Sequence, residues 1–187
     1  MPEEEEPTTE AESEEPAAAD EGSEVEPQVL PDEPTLAAIV EPFPSATWTV
    51  ALDEWVVGVD PAEYHGLVAA AKDAGFETFI DLCAVDYFRR RPRFDVVLTV
   101  LNYTSPKRLR INVGVDGAEP AVATVSDVYP GANFYEREAY DLLGIEFNGH
   151  PDLTRILMPD DWQAHPLRKD YAVGTVPIQF KEAHTVE

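Results

Sequence analysis

Four prolines, Pro151, Pro159, Pro166 and Pro177, punctuate the C-terminal part of this chain and forbid any long helix or central strand there. The same stretch carries Ile145, Phe147, Leu153, Ile156, Leu157, Met158, Trp162, Leu167 and Tyr171. Apolar side chains on a backbone without regular hydrogen bonding need another surface to cover them, either the chain's own domain or a partner. Directly before this arm, a charged helical pattern stops at Gly144. Residues 136–171 therefore predict a charged helix running into a docking element rather than a catalytic one.

The rest of the chain divides by charge. Residues 1–33 hold fourteen acidic side chains and no basic one, and the first base of the chain is Lys72. From Lys72 onward eighteen acids face thirteen bases, so the formal net charge of −24 is mostly N-terminal. Residues 1–33 lack aromatics and cannot bury enough apolar area to offset ordering entropy, which predicts a disordered, solvating tail. They also lack the basic and apolar regions of a signal peptide, so the chain is expected to stay in the cytosol. No apolar run reaches the roughly 18 residues needed to cross a bilayer. Cys83 stands alone, which excludes an internal disulfide and leaves a cysteine-ligated iron–sulfur cluster three ligands short.

Between tail and arm, 44% hydrophobic content for the chain fits a globular body. Pro34–Val40 predicts a short helix. Trp48, Val50 and Leu52, then Trp55, Val57 and Val59, predict a hairpin turning at Asp53-Glu54. Asp60 predicts an N-cap, with Pro61 at the first helical position and Glu63 three residues on, for a helix through Tyr64, Leu67, Val68 and Ala71 that Gly75 stops. Residues 76–87 and 94–103 predict two strands joined through the arginine-rich loop 89–93. The second of these is apolar on nearly both faces and is expected at the centre of a sheet. Leu109, Ile111, Val113 and Val115 alternate with polar residues, which predicts a further strand nearer an edge. Residues 121–128 predict a short helix and 130–143 a firmer one. On that firmer helix Tyr135, Glu138, Ala139 and Leu142 share the apolar face, and Arg137 pairs with Asp141 at i, i+4.

The order helix, strand, strand, helix, strand, strand, strand predicts an α+β body with a largely antiparallel sheet and helices on one face. A charged helix and an extended C-terminal arm follow. The expected divisions are 1–33 tail, 34–128 body and 129–187 helix plus arm.

His150-Pro151-Asp152 and His165-Pro166-Leu167 tempt one to draw a metal site or acid–base pair with a nearby carboxylate. Their spacing matches no close-set ligand pair, so structural hydrogen bonding or partner contact is expected instead. No phosphate-binding glycine loop, dinucleotide fingerprint or nucleophile elbow is present. The arginine loop, without interleaved aromatics on an acidic chain, reads as solvated and not as a nucleic-acid surface.

Glu136-Arg137-Glu138, Asp141-Leu142-Leu143-Gly144-Ile145, Gly149-His150-Pro151-Asp152-Leu153, Arg155-Ile156-Leu157 and His165-Pro166-Leu167-Arg168-Lys169-Asp170-Tyr171 resemble the signature of the 30-kDa-subunit family of NADH:quinone oxidoreductase, respiratory complex I. Weaker likeness reaches back to Pro34. Thr154 departs from the pattern, where a second basic residue is common, and so does Gln163-Ala164, where a glycine-containing pair is usual. The resemblance implies a peripheral subunit with no catalytic, metal or cofactor-binding residue of its own. The proton-translocating complex around it uses FMN, iron–sulfur clusters, NADH and quinone. Implied partners are other oxidoreductase subunits: the large one that helps form the quinone cavity and two that bear iron–sulfur clusters. Membrane association arises only through the complex, on the cytoplasmic side of the bacterial inner membrane. The implied interface residues are Glu136, Arg137, Glu138, Asp141, His150, Asp152, Arg155, Trp162, His165, Arg168, Lys169 and Asp170, with Arg155, Arg168 and Lys169 donating to partner carboxylates or carbonyls. An arm that waits for a partner should be open to protease from about Ile145. Related subunits of membrane-bound hydrogenases and coenzyme-F420 dehydrogenases are a narrower alternative, and a free-standing His/carboxylate enzyme one of a different class.

Overall fold

A computed structural model describes residues 31–172. Most of the acidic tail expected at 1–33, and the end of the arm at 173–187 with Pro177, lie outside the described residues.

Helix α1, Pro34–Val40, starts where the Glu33 carboxylate accepts the Leu36 N–H at 2.9 Å. Strands β1, Thr47–Ala51, and β2, Glu54–Val59, form the hairpin, with Ala51 opposite Glu54. The turn is therefore Leu52-Asp53, one residue earlier than expected, and both residues take positive φ, 53° and 65°. Register decides this, because it is what places Trp55, Val57 and Val59 in the core while Leu52 stays 95% exposed at the tip. Glu54 belongs to the strand, where it accepts hydrogen bonds from Arg108 and Arg110 at 3.2 and 2.7 Å.

Helix α2, Tyr64–Asp73, starts later than the Asp60 cap predicts. Glu63 stands at the cap position, and its carboxylate accepts the Ser45 N–H and hydroxyl at 3.1 and 2.6 Å, so it braces the preceding loop instead of the helix. Strands β3, Thr78–Asp86, β4, Phe94–Asn102, and β5, Lys107–Val115, complete a sheet in the order β1-β2-β5-β4-β3. All pairings are antiparallel except β2 with β5. The strand expected near an edge, β5, is thus the middle one. Its alternation reports that one sheet face is uncovered, and carries no information about position within the sheet.

One rung shows how the covered face is built: Val57, Ile111, Leu98 and Leu82 lie in register across β2, β5, β4 and β3, and all four are buried. Leu36, Ile39 and Val40 of α1 and Tyr64, Leu67, Val68 and Ala71 of α2 complete the same core. Burying a side chain of this size contributes roughly 1.5–3 kcal/mol, which fixes which face of each strand turns inward.

The stretch expected as a short helix at 121–128 is strand β6, Ala121–Ala123, followed by a turn. It pairs in parallel with β7, Glu146–Asn148, through Val122 opposite Phe147. Helix α3, Ala132–Leu143, is the crossover between them and packs along β3. The core therefore continues past Gly144: Ile145 is fully buried and Phe147 nearly so, against the expectation that protease would enter at Ile145. Among the described residues no helix is long and apolar enough to cross a membrane.

Candidate partner-docking site

Helix α3 organises the arm. Its buried face is not the one that hydrophobicity selects. Glu138 is exposed, whereas Glu136 and Asp141 are fully buried together with Ala132, Ala139 and Leu143. Arg137 does not pair with Asp141; it donates to the Thr154 carbonyl and hydroxyl at 3.1 and 2.9 Å and to the Arg155 carbonyl at 3.2 Å. Both acids on the buried face find partners from distant parts of the chain, and a local pattern cannot anticipate that.

At the C-terminal end, one Asp141 oxygen accepts three consecutive backbone N–H groups, from Ile156, Leu157 and Met158 at 3.0, 2.7 and 2.9 Å. The other accepts Arg155 Nη1 at 2.7 Å. Burial opposes the charge, but the Met158, Leu157 and Ile156 N–H groups and the Arg155 guanidinium outweigh it and hold the carboxyl below its ordinary value. Asp141 is thus the anion around which the arm makes its first turn.

The arm in return caps the helix. An α-helix leaves its last carbonyls unsatisfied. Here His165 Nδ1 and Arg155 Nη1 donate to the Asp141 carbonyl at 3.0 and 3.3 Å, and the Leu167 N–H donates to the Leu142 carbonyl at 3.0 Å. Arg168 donates to the carbonyls of Leu143 and Gly144 at 2.6 and 3.3 Å. Cations at this end also suit the negative pole of the helix. Gly144 takes φ 71°, and a Cβ on it would lie 2.5 Å from the His165 ring and 2.7 Å from Arg168, so the turn needs glycine for both its backbone and its space.

At the other end of α3, Glu136 accepts the Thr124 hydroxyl at 2.5 Å and the Val125 N–H at 2.7 Å. Burial pushes its carboxyl up to about 7, with those two hydrogen bonds working in the opposite sense. His150 Nε2 lies 3.9 Å from Glu136 and 3.3 Å from the Asn133 carbonyl, while His150 Nδ1 accepts the Asp152 N–H at 3.0 Å. With Nδ1 accepting, Nε2 is the ring nitrogen left to donate, toward the Asn133 carbonyl.

A third anchor was not legible as a site in the sequence. Asp86, at the end of β3, accepts Arg93 Nε and Nη2 at 2.9 and 2.7 Å, the Phe88 N–H at 2.7 Å and the Lys169 N–H at 2.8 Å. Arg93 also donates to both oxygens of Asp170 at 3.1 and 2.8 Å. Arg93 hydrogen bonding holds both Asp86 and Asp170 below the usual carboxylate range. The solvated loop expected for 89–93 therefore holds one exception, Arg93, whose side chain is only 14% exposed. Lys169 and Asp86 are 83 residues apart, and no motif links them.

The two histidines are not brought together. One sits at Asn133 and the other at Asp141, eight positions along α3 and so about 12 Å at 1.5 Å per residue. Among the described residues no cluster of three or more His, Cys, Asp or Glu could hold a metal. Of the other expected residues, Asp152 is exposed, Trp162 is half-buried with its Nε1 unpartnered, and Lys169 is held through its backbone. The guanidinium groups of Arg155 and Arg168 are engaged by the chain's own α3 and arm.

Residues 57–176 match the family model of the respiratory-chain NADH dehydrogenase 30 Kd subunit. The NADH-quinone oxidoreductase C subunit of Roseiflexus sp. (strain RS-1) is 48% identical over 105 residues, 56% of this chain and 60% of that one. The corresponding C subunit of Methylobacterium sp. (strain 4-46) is 43% identical over 137 residues, 71% of this chain and 63% of that one. The chain thus spans about three-fifths of the length of these curated relatives. A trypsin-resistant fragment of Nqo5 is similar in structure, with TM-score 0.54 and 32% identity over 58% of this chain and 89% of the fragment. A chain of an archaeal membrane-bound sulfane sulfur reductase shares the fold, with TM-score 0.65 at 21% identity over 80% of this chain and 94% of that one. With an α+β body, a crossover helix and an arm pinned to that helix by the residues of the signature, the chain belongs to the respiratory-chain NADH dehydrogenase 30-kDa subunit family.

Proposed function

We propose that this chain is the non-catalytic peripheral-arm subunit of a proton-translocating NADH:quinone oxidoreductase, where it docks on the large quinone-site subunit beside the cluster-bearing subunits. FMN, the iron–sulfur clusters, NADH and quinone are held by other subunits. The chain reaches the cytoplasmic face of the bacterial inner membrane only through them. The observation that carries this is the use made of its reactive side chains: Asp141, Arg155, His165 and Arg168 all fold the arm onto α3. Groups engaged in this way are positioned for rigidity and not for turnover. A free-standing His/carboxylate enzyme needs His150 and His165 in one site, and they lie at opposite ends of a helix.

The test is a pull-down of the tagged full chain at native abundance. Recovery of the large quinone-site subunit and the cluster-bearing subunits, with NADH:quinone turnover in the recovered complex and none in the chain alone, is the expected result. Turnover by the isolated chain that disappears in His150→Ala or His165→Ala would overturn the proposal.

A further inference from the structure

With Asp141, Arg155 and Arg168 engaged within the chain, an apolar surface beside α3 is left uncovered among the described residues. Phe134 is 60% exposed, Leu157 60% and Leu167 57%, and all three border the outer face of α3. Between that face and the edge strand β3 lies a cavity of about 260 Å³ lined by Leu82, Cys83, Ala139, Leu142 and Leu167, with Tyr135 on its wall. Tyr135 is held there by an edge-on contact with Phe79, ring centroids 5.1 Å apart. The cavity falls below the roughly 300–1,000 Å³ of typical small-molecule pockets and suits a single side chain.

Two carboxylates mark the same place. Asp81 and Glu138 both line the cavity, and their side chains make no hydrogen bond or ion pair among the described residues. Both act on Cys83, whose thiol is pushed up by burial first and then by Asp81 and Glu138, with Arg110 working in the opposite sense. Glu138 also lines the neighbouring recess formed by Phe134, Tyr135, Ile156 and Leu157, so it stands at the centre of the apolar surface. An apolar cavity beside unpaired carboxylates is the complement of an apolar side chain next to a lysine or arginine.

We propose that this surface binds a segment of a neighbouring oxidoreductase subunit. That segment inserts one large apolar side chain into the Leu82–Leu142–Leu167 cavity and places a basic side chain over Glu138 and Asp81. A second copy of the chain fits poorly, because it would bring its own Asp81 and Glu138 side of an acidic body, eighteen acids against thirteen bases from Lys72 onward, against the same carboxylates. The inference rests on the peripheral-subunit reading and identifies the face through which it acts.

Cys83, the only cysteine, serves as the probe. Its alkylation by N-ethylmaleimide is timed in the full chain alone and in the complex recovered by pull-down. Protection of at least tenfold in the complex is expected, as is a photo-crosslink from p-benzoylphenylalanine placed at Tyr135 to a peptide with an apolar residue next to lysine or arginine. Glu138→Lys should lower recovery of the complex at least tenfold and Glu138→Gln less, with the melting temperature of the isolated chain unchanged by either. Cys83 that reacts equally fast in the recovered complex, or a crosslink to a second copy or to residues 173–187, overturns the inference alone. Failure to recover any oxidoreductase subunit overturns the parent proposal and this one with it.

Discussion

Glu136 and Asp141 lie five residues apart on one helix, both fully buried, yet their protons behave oppositely. Asp141 meets three backbone N–H groups and a guanidinium, which hold its carboxyl below the ordinary carboxylate value. Glu136 meets one N–H and one hydroxyl with no cation bonded to it, and burial prevails. Burial alone therefore does not decide the charge of a carboxylate; the number of donors aimed at it does. The end of α3 with many donors holds the arm by charge. The end with few packs the β6–β7 unit against the body.

The largest expected effect comes from removing the anion. Asp141→Ala leaves three N–H groups and Arg155 facing an empty site, and breaking a buried charged pair of this kind costs about 3–5 kcal/mol. Urea unfolding should show that loss, and limited proteolysis should cut between Thr154 and Tyr171; a variant as stable and resistant as the parent would remove Asp141 from its role as anchor. Asp141→Asn, which keeps one acceptor oxygen, should lose less.

The opposite end is sharpened by pH. Glu136 has its carboxyl raised from 4.5 to about 7, so its contribution is fully present below 4.5 and lost as pH rises through about 7. The loss is on the order of 3 kcal/mol at 1.36 kcal/mol per unit. Asp141, Asp86 and Asp170 are depressed, so their contribution is present above the ordinary carboxylate value and lost as pH falls through the depressed ones. Glu136→Gln should accordingly flatten stability between pH 5 and 8 and leave the acid limb untouched. Urea midpoints at several pH values would check this, and an unchanged alkaline slope in the variant would contradict the assignment.

Gly144→Ala comes next. It places a Cβ against His165 in a left-handed turn, for about 1–3 kcal/mol of strain, and should loosen the arm without disturbing the Glu136 end. Hydrogen exchange at the Leu167 N–H would register the change; exchange as slow as in the parent would show that the ring yields freely. Smallest is Arg168→Ala, which removes two caps on carbonyls partly reachable by water, for about 1 kcal/mol in thermal melts. A loss as large as that of Asp141→Ala would mean that capping, not the anion, holds the arm.

The body was legible because its signals are local and periodic. Val57, Val96, Leu98, Ile111 and Val113 alternate as strand residues must, and Gly75 and Gly144 both take the positive φ their position suggested. The misreadings share another cause. The 121–128 stretch became a strand because Phe147 lies opposite Val122, and β5 became central because β2 runs beside it. On α3 the hydrophobic stripe pointed at Glu138, while the folded chain satisfied Glu136 and Asp141 with donors from elsewhere and so could bury them instead.

By itself, then, the sequence determined the α+β class, the stop at Gly144, the proline-broken arm and, through its signature residues, the family. Only the tertiary structure decided where the arm lies, which acids are buried and that Arg93 ties Asp86 to Asp170. The physical reason is range. Propensity and periodicity act over a few residues of one segment, whereas a buried carboxylate is made tolerable by N–H groups and guanidinium groups whose positions are known only once the chain has closed on itself.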